Sequence, residues 1–266
     1  MDDQRRVEPH STGFKISDEL DLSSLRERFH HSERLRIPDV LRPRDALRLY
    51  KHLANDVEWN TFLVAGDSVY SAHPSAKGSS ELSPAEQEMH AEASTAAAHG
   101  FACLHDADRL FPEDIPEGEW SGNPQRTALL AQFADFVSSE EFLSLARSVT
   151  GLSEIARADI QATRHRAGHF TAYHAHRPYS SDRGIRLAGF ELNLTLEWRP
   201  DWGGLRSFRL AQDATAEAYF PSFNLLDLFN PRKGRWISRI SPSADQDRLA
   251  LSGWLYGPQV ESAHAN

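Results

Sequence analysis

From Ile155 onward the chain breaks into short β-type runs separated by turn residues, at 155–165, 169–175, 187–197, 205–210, 215–221, 224–229, 235–240 and 248–256. Runs of this length and composition, so closely spaced, predict a β-sandwich or a barrel. In 187–197, Phe190, Leu192, Leu194 and Leu196 alternate with Glu191, Asn193 and Thr195. Successive strand side chains point to opposite faces, so one face packs a core and the other meets something polar. No internal repeat or low-complexity tract interrupts the pattern.

The preceding half reads as mostly helical. Leu20, Leu22, Leu25 and Phe29 form a helical stripe, and Pro43 opens a segment carrying Leu47, Tyr50 and Leu53. Ser83, Pro84 and Glu86 form a capping box with proline at the first helical position, and the alanine-rich run behind them ends at Gly100, read as a left-handed stop. Ser138 and Glu141 repeat that signature before a helix closing near Gly151. Residues 58–70 and 100–105 read as extended, and 71–83 and 112–125 as loops.

With 266 residues, 40% of them apolar, the chain can bury a large core. It reads as one domain over 15–257, helical support to 154 and β core from 155, between flexible ends at 1–14 and 258–266. A single cysteine, Cys103, permits no internal disulfide and no thiolate cluster for zinc, which fits the cytoplasm. The formal charge of −9 argues against nucleic-acid binding, and no long apolar run or leader suggests a membrane.

Metal chemistry would therefore rest on His, Asp or Glu. His165, His169, His174 and His176 are crowded together, and the last two share a face if their stretch is a strand. Two adjacent imidazoles suit iron, copper, nickel or zinc. Without a third ligand the pair also reads as two ordinary histidines.

The stretch 162–176, ATRHRAGHFTAYHAH, followed by 192–205, LNLTLEWRPDWGGL, resembles the core of the prolyl 4-hydroxylase-like branch of the Fe(II)/2-oxoglutarate oxygenases. Residues 220–226, FPSFNLL, and 248–254, RLALSGW, resemble that family's late strands, in order and at fitting spacing. The resemblance covers about 15–257 and implies an α+β fold: a double-stranded β-helix, jelly-roll or cupin-like, with an N-terminal helical layer.

The same resemblance implies a site and shows it altered. The family binds Fe(II) through His-x-Asp on one strand and a second His on a later one. His174 matches the first His; His176 stands in place of the Asp, and Arg235 in place of the distal His. Arginine brings a fixed positive charge and no lone pair for a metal. Arg248 matches the Arg that clamps the far carboxylate of 2-oxoglutarate, but the family's Ser two residues later is Ala250, and its cosubstrate-holding Tyr is His165.

Three functions are compatible with these residues. One is an oxygenase that hydroxylates an amino acid, peptide or small metabolite, with iron or another transition metal on His174, His176 and His165 and 2-oxoglutarate on Arg248 and His165. Another is a non-catalytic homologue whose barrel mouth binds an anionic small molecule or peptide, with Arg235, Asn193 and Asp227 as further contacts. The last is metal-free chemistry by a barrel histidine titrating near neutrality. A homodimer, or pairing with an intact relative, is compatible with all three.

Among the remaining residues, Trp198, Trp202, Gly203 and Gly204 read as a tight turn and a packed lid, and Arg206 and Arg209 as solvated strand residues. Asp227, if it faces inward, could supply the carboxylate missing from the His pair or offset Arg235.

Overall fold

The computed structural model describes residues 13–74, 81–109, 128–175, 180–181, 184–210 and 214–258. Helix α1 (Leu22–Ser32) is capped by the Asp21 side chain, which accepts from the Ser24 N–H, and it buries Leu25 and Phe29. Strand β1 (Arg34–Pro38) and helix α2 (Pro43–Asn55) follow. Proline opens α2, and the burial of Ala46, Leu49 and Leu53 follows its helical period. The extended stretch near residue 60 is a hairpin, β2 (Asn60–Ala65) and β3 (Ser68–Ala72).

Helix α3 (Pro84–His99) has the predicted capping box between Ser83 and Glu86. It ends at Gly100 in extended backbone, φ −177°, so the expected left-handed stop is not there. After β4 (Ala102–Arg109) come α4 (Ala128–Val137) and α5 (Glu140–Thr150). Ser139, not Ser138, caps α5, and Glu141 accepts a hydrogen bond from the Ile16 N–H instead of closing a box. The helix closes at Gly151, as predicted, and there the backbone is left-handed, φ 74°. The predicted loop at 112–125 lies outside the described residues.

The β half contains β5 (Arg157–Ala158), β6 (Gln161–His165), β7 (Phe170–His174), β8 (Ser180–Ser181), β9 (Gly184–Leu194), β10 (Arg206–Arg209), β11 (Ala216–Tyr219), β12 (Phe223–Phe229), β13 (Arg235–Ile237) and β14 (Arg248–Tyr256). The sheet order is β1-β12-β9-β14-β6-β4-β7-β13-β10-β11, every pairing antiparallel. The sheet curls until its edges meet: Arg34 of β1 pairs with Glu217 of β11, and the Arg36 guanidinium lies 4.7 Å from the Tyr219 ring centroid. This is the expected double-stranded β-helix.

Helices cover one outer face. Phe190, Leu192 and Leu194 of β9 share a core with Leu226, Leu228, Leu249 and Leu251 and with the apolar faces of α1, α2, α4 and α5. A smaller cluster, Met89, Ala93, Leu63, Leu104 and Phe170, fixes α3 against β2, β4 and β7. Among the described residues, no helix is long and apolar enough to cross a membrane.

Asn224 sets the phase of β12. Its φ is 53°, a left-handed conformation that Asn tolerates better than most residues, and the register shifts there. The Asn224 amide donates to the Leu41 carbonyl at 2.7 Å and accepts from the Leu41 N–H at 3.1 Å, joining the bulge to the start of α2. Asn224→Ala forfeits both bonds and strains the backbone, so the expected loss is roughly 2–3 kcal/mol by urea denaturation, with Asn224→Gly recovering the backbone share only.

Candidate functional site

The polar face of β9 does not meet water. Glu191, Asn193 and Thr195 are all buried, because β9 lies between β12 and β14 with this row turned into the curl of the sheet. Opposite them stands Arg206 of β10, also buried. Its Nε donates to Glu191 Oε1 at 3.3 Å and its Nη2 to Oε2, a two-pronged grip. Arg206 was expected to be solvated; the alternation of β10 puts it inside, where Glu191 neutralises it. Arg209 is exposed, as expected.

Arg248, at the start of β14, is buried and completes the cluster. Its Nη2 donates to Glu191 Oε1 and, at 3.3 Å, to Asn193 Oδ1. The Asn193 amide donates to Asp227 Oδ2 at 2.9 Å, and Arg36 Nε donates to Asp227 Oδ1 at 3.0 Å. A continuous chain thus runs from the seam through Arg36, Asp227, Asn193, Arg248 and Glu191 to Arg206. Burial alone would raise the pKa of Glu191, but Arg206 and Arg248 bring it down to about 2. Asp227 goes the other way: burial, opposed by Arg36 and reinforced by Glu191, raises it to about 6. Asp227 does face inward, but it is bound to Arg36 and Asn193 and neither offsets Arg235 nor joins the histidines.

Arg235 lies across the β7–β13 pair from His174. It is buried, with its guanidinium carbon 4.7 Å from the Phe229 ring centroid and 5.4 Å from that of Trp254. Its Nη1 donates to the carbonyls of Pro231 and Lys233 at 3.1 and 3.3 Å. Burial first, and Arg206 second, draw its pKa down to about 9, which still leaves it cationic at neutral pH. Arg235 is thus a cation held against aromatic faces and carbonyl oxygens, across the strand pair from His174.

The histidines disperse. His174 Nδ1 lies 2.9 Å from the Ala172 carbonyl, and its ring packs edge-on to Phe101. His165 instead stacks on His105, with centroids 5.6 Å apart, and sits opposite Arg248 in the β6–β14 register. His176 lies outside the described residues. Among the described residues, no three His, Cys, Asp or Glu side chains converge as a metal site. The donors described here therefore do not fit Fe(II).

Nor do they fit the clamp for 2-oxoglutarate unchanged. The two forks of a guanidinium, Nε with Nη2 and Nη1 with Nη2, share Nη2, which in Arg248 already serves Glu191 and Asn193. Ala250 brings no hydroxyl. Among the described residues, Arg248 Nε and Nη1 and both ring nitrogens of His165 are buried without a hydrogen-bond partner. Buried polar atoms left so are costly.

Histidine acid–base chemistry near neutral pH also loses support. Burial, then the Arg248 charge, puts His165 well below its ordinary pKa, and burial lowers His169 to about 3 despite Asp106. His169 belongs to a second ion cluster behind the barrel, where Arg166 bridges Glu86 and Asp106 at 2.7 Å each and Arg164 joins Asp106 at 2.8 Å. Cys103 is no nucleophile, since burial raises its thiol to about 11.

The Trp198 indole donates to the Gly203 carbonyl at 2.8 Å and packs edge-on to Trp202, while Gly203 and Gly204 have φ of 68° and 64°. The tight-turn reading of these residues holds. Sequence reasoning missed Glu191, Arg206 and Arg36 as interior charges. The signal was the position of Glu191 and Asn193 on the polar row of β9.

Residues 160–256 match the family described as the 2OG-Fe(II) oxygenase superfamily. No curated protein matches the chain. Among solved structures, the chain is similar to a prolyl-4-hydroxylase of Pseudomonas putida (TM-score 0.56, 14% identity, 89% of this chain and 99% of that one). It is also similar to an oxidoreductase of the 2OG-Fe(II) oxygenase family from Burkholderia pseudomallei (0.57, 8%, 90% and 92%). A third is a Trichoplax adhaerens prolyl hydroxylase in complex with a hypoxia inducible factor peptide fragment (0.55, 12%, 89% and 89%). At these identities the structural likeness is one of fold. Together with the sequence match over residues 160–256, it gives the chain a fold shared with prolyl hydroxylases and a β core similar to that of the 2OG-Fe(II) oxygenase superfamily.

The raised pKa of Asp227 has a thermodynamic sign. Its folded value, about 6, exceeds the unfolded value of roughly 4, so its stabilising protonation is complete below the unfolded pKa and is lost as pH rises through 6. Asp227→Asn removes this dependence. Urea midpoints of variant and parent should diverge between pH 4 and 6.5 in favour of the variant, by on the order of 2 kcal/mol; parallel curves would reject a strained carboxylate.

Proposed function

We propose that this chain is a non-oxidising member of its superfamily whose barrel mouth binds a small carboxylate-bearing molecule. The observation that carries this reading is Arg235: a buried guanidinium opposite His174, with no carboxylate among the described residues bonded to it. Within the curl, Arg206, Arg235 and Arg248 face Glu191 and Asp227, and Asp227 is also bonded to Arg36. The interior therefore carries surplus positive charge, which repels a dication and attracts an anion. Arg248 Nε and Nη1 and the His165 ring supply the polar atoms for it. A peptide carboxylate would satisfy the same chemistry as a free small molecule.

One feature favours a second reading. His174 turns Nδ1 to the Ala172 carbonyl, the arrangement that assigns Nε2 to a metal in many metalloproteins. With His176 and His165 it would make an all-imidazole centre for an oxygenase.

Elemental analysis of anaerobically purified chain, followed by an iron and 2-oxoglutarate turnover assay, separates the two. We expect iron well below stoichiometric and no succinate, with small carboxylates raising the melting temperature and Arg248→Met abolishing that rise. Stoichiometric iron with succinate formation would sink the proposal. Replacing His176→Asp and Arg235→His together restores the family's ligand types, so the double variant should gain iron binding that neither single variant shows.

A further inference from the structure

We infer that Glu191 is the specificity-determining residue of this barrel, a tethered carboxylate that shuts out dicarboxylates such as 2-oxoglutarate and leaves room for a monocarboxylate. This rests on the carboxylate-binding reading above and narrows its ligand.

Geometry limits what Arg248 can still offer. A carboxylate gripped by a fork needs two neighbouring N–H groups on one edge of the guanidinium, and Nη2 belongs to both edges. Glu191 and Asn193 hold that nitrogen, so Nε and Nη1 remain only as separate, diverging donors. The Nε–H and the two N–H groups of Nη1 can each serve one oxygen, but no Nε–H and Nη1–H share an edge, so they close no fork. The far carboxylate of a 2-oxo diacid would lose its fork and come to rest beside the Glu191 carboxylate.

That second carboxylate cannot be moved aside cheaply. Glu191 is held from the opposite sheet by Nε and Nη2 of Arg206, and all three side chains are buried. Displacing it would strand two guanidiniums, and crowding a second anion against it sets like charges together away from water. A 2-oxo monoacid avoids both penalties. Its single carboxylate can take one of the remaining donors of Arg248 with the His165 ring beside it, and no far carboxylate needs a place.

Pyruvate and 2-oxoglutarate share the 2-oxo acid group and differ by the far carboxylate arm, so the pair tests the inference directly. Titration calorimetry of the full chain should show pyruvate binding at least tenfold more tightly than 2-oxoglutarate. In Glu191→Gln, which keeps the shape and the acceptor oxygen but not the charge, 2-oxoglutarate should gain at least tenfold. Equal binding of the two acids by the parent, or a folded Glu191→Gln with no gain, overturns the role of Glu191 and leaves carboxylate binding standing. If the parent binds neither acid but Glu191→Gln takes up 2-oxoglutarate, Glu191 is confirmed as the barrier and the carboxylate-binding function falls. Binding of neither acid by either protein overturns both. Should Glu191→Gln fail to fold, the parent's ranking still decides. Glu191→Asp, which keeps the charge but draws it back from Arg248, then provides the second measurement.

Discussion

Two guanidiniums closing on one buried carboxylate hold the inside of this barrel together. Glu191 projects from β9, Arg248 from the neighbouring β14, and Arg206 from β10 across the curl, so the triad ties the two walls together through charge. Such a cluster is expensive to desolvate and is a poor source of net stability compared with packed apolar side chains. Its consequence is an unequal dependence: removing Glu191 leaves two buried guanidiniums without their carboxylate, whereas removing either arginine leaves one Glu–Arg pair. The aromatic rings of Phe229 and Trp254 and the carbonyls of 231 and 233 carry out the same service for Arg235, which has no acid partner in that set.

The second ion cluster shows that buried charge alone does not define a site here. Asp106, Arg164, Arg166 and Glu86 are as tightly knit as the interior triad, and Asp106 is likewise held down to about 2, by His169, Arg164 and Arg166 against the upward pull of burial. Yet they join α3 to β4 and β6 on the side away from the curl, and Glu86 doubles as the N3 member of the α3 capping box. The carboxylates there are answered by guanidiniums of matching reach. In the interior the surplus is of guanidiniums, and Arg248 is left with unused donors. Imbalance, more than burial, distinguishes a place built to receive something from one built to hold itself together.

Much of the fold could be read directly from the chain because its signals are local. Turn residues bracket the strands, and proline and a capping box mark α2 and α3. What escaped depends on partners distant in sequence. Strand β1 is five residues long and gains its identity by pairing with β12, nearly two hundred positions away. Arg206 looked solvated because an arginine on a short strand ordinarily is; only Glu191 on β9 makes its burial tolerable. The burial of Arg235 opposite His174 could not be read from the chain either, because it follows from the pairing of β7 with β13. Nor could the stacking of His165 on His105, because it depends on how β4 and β6 sit side by side.

Architecture and chemistry separate in this chain for a physical reason. The helical layer and the outer sheet face are set by apolar periodicity, which many sequences satisfy, so a likeness of fold survives at 8–14% identity. The inner face answers to electrostatics, where one substitution changes the sign of what is attracted. A metal centre of this superfamily needs donors with lone pairs around a dication, whereas Arg235 offers hydrogens and a positive charge. Once that charge is fixed inside, a carboxylate such as Glu191 is favoured nearby, and a carboxylate fixed on Arg248 in turn weakens the grip on an incoming diacid. In the proposed reading, a missing metal ligand and a narrowed anion pocket would therefore be coupled through one interior field.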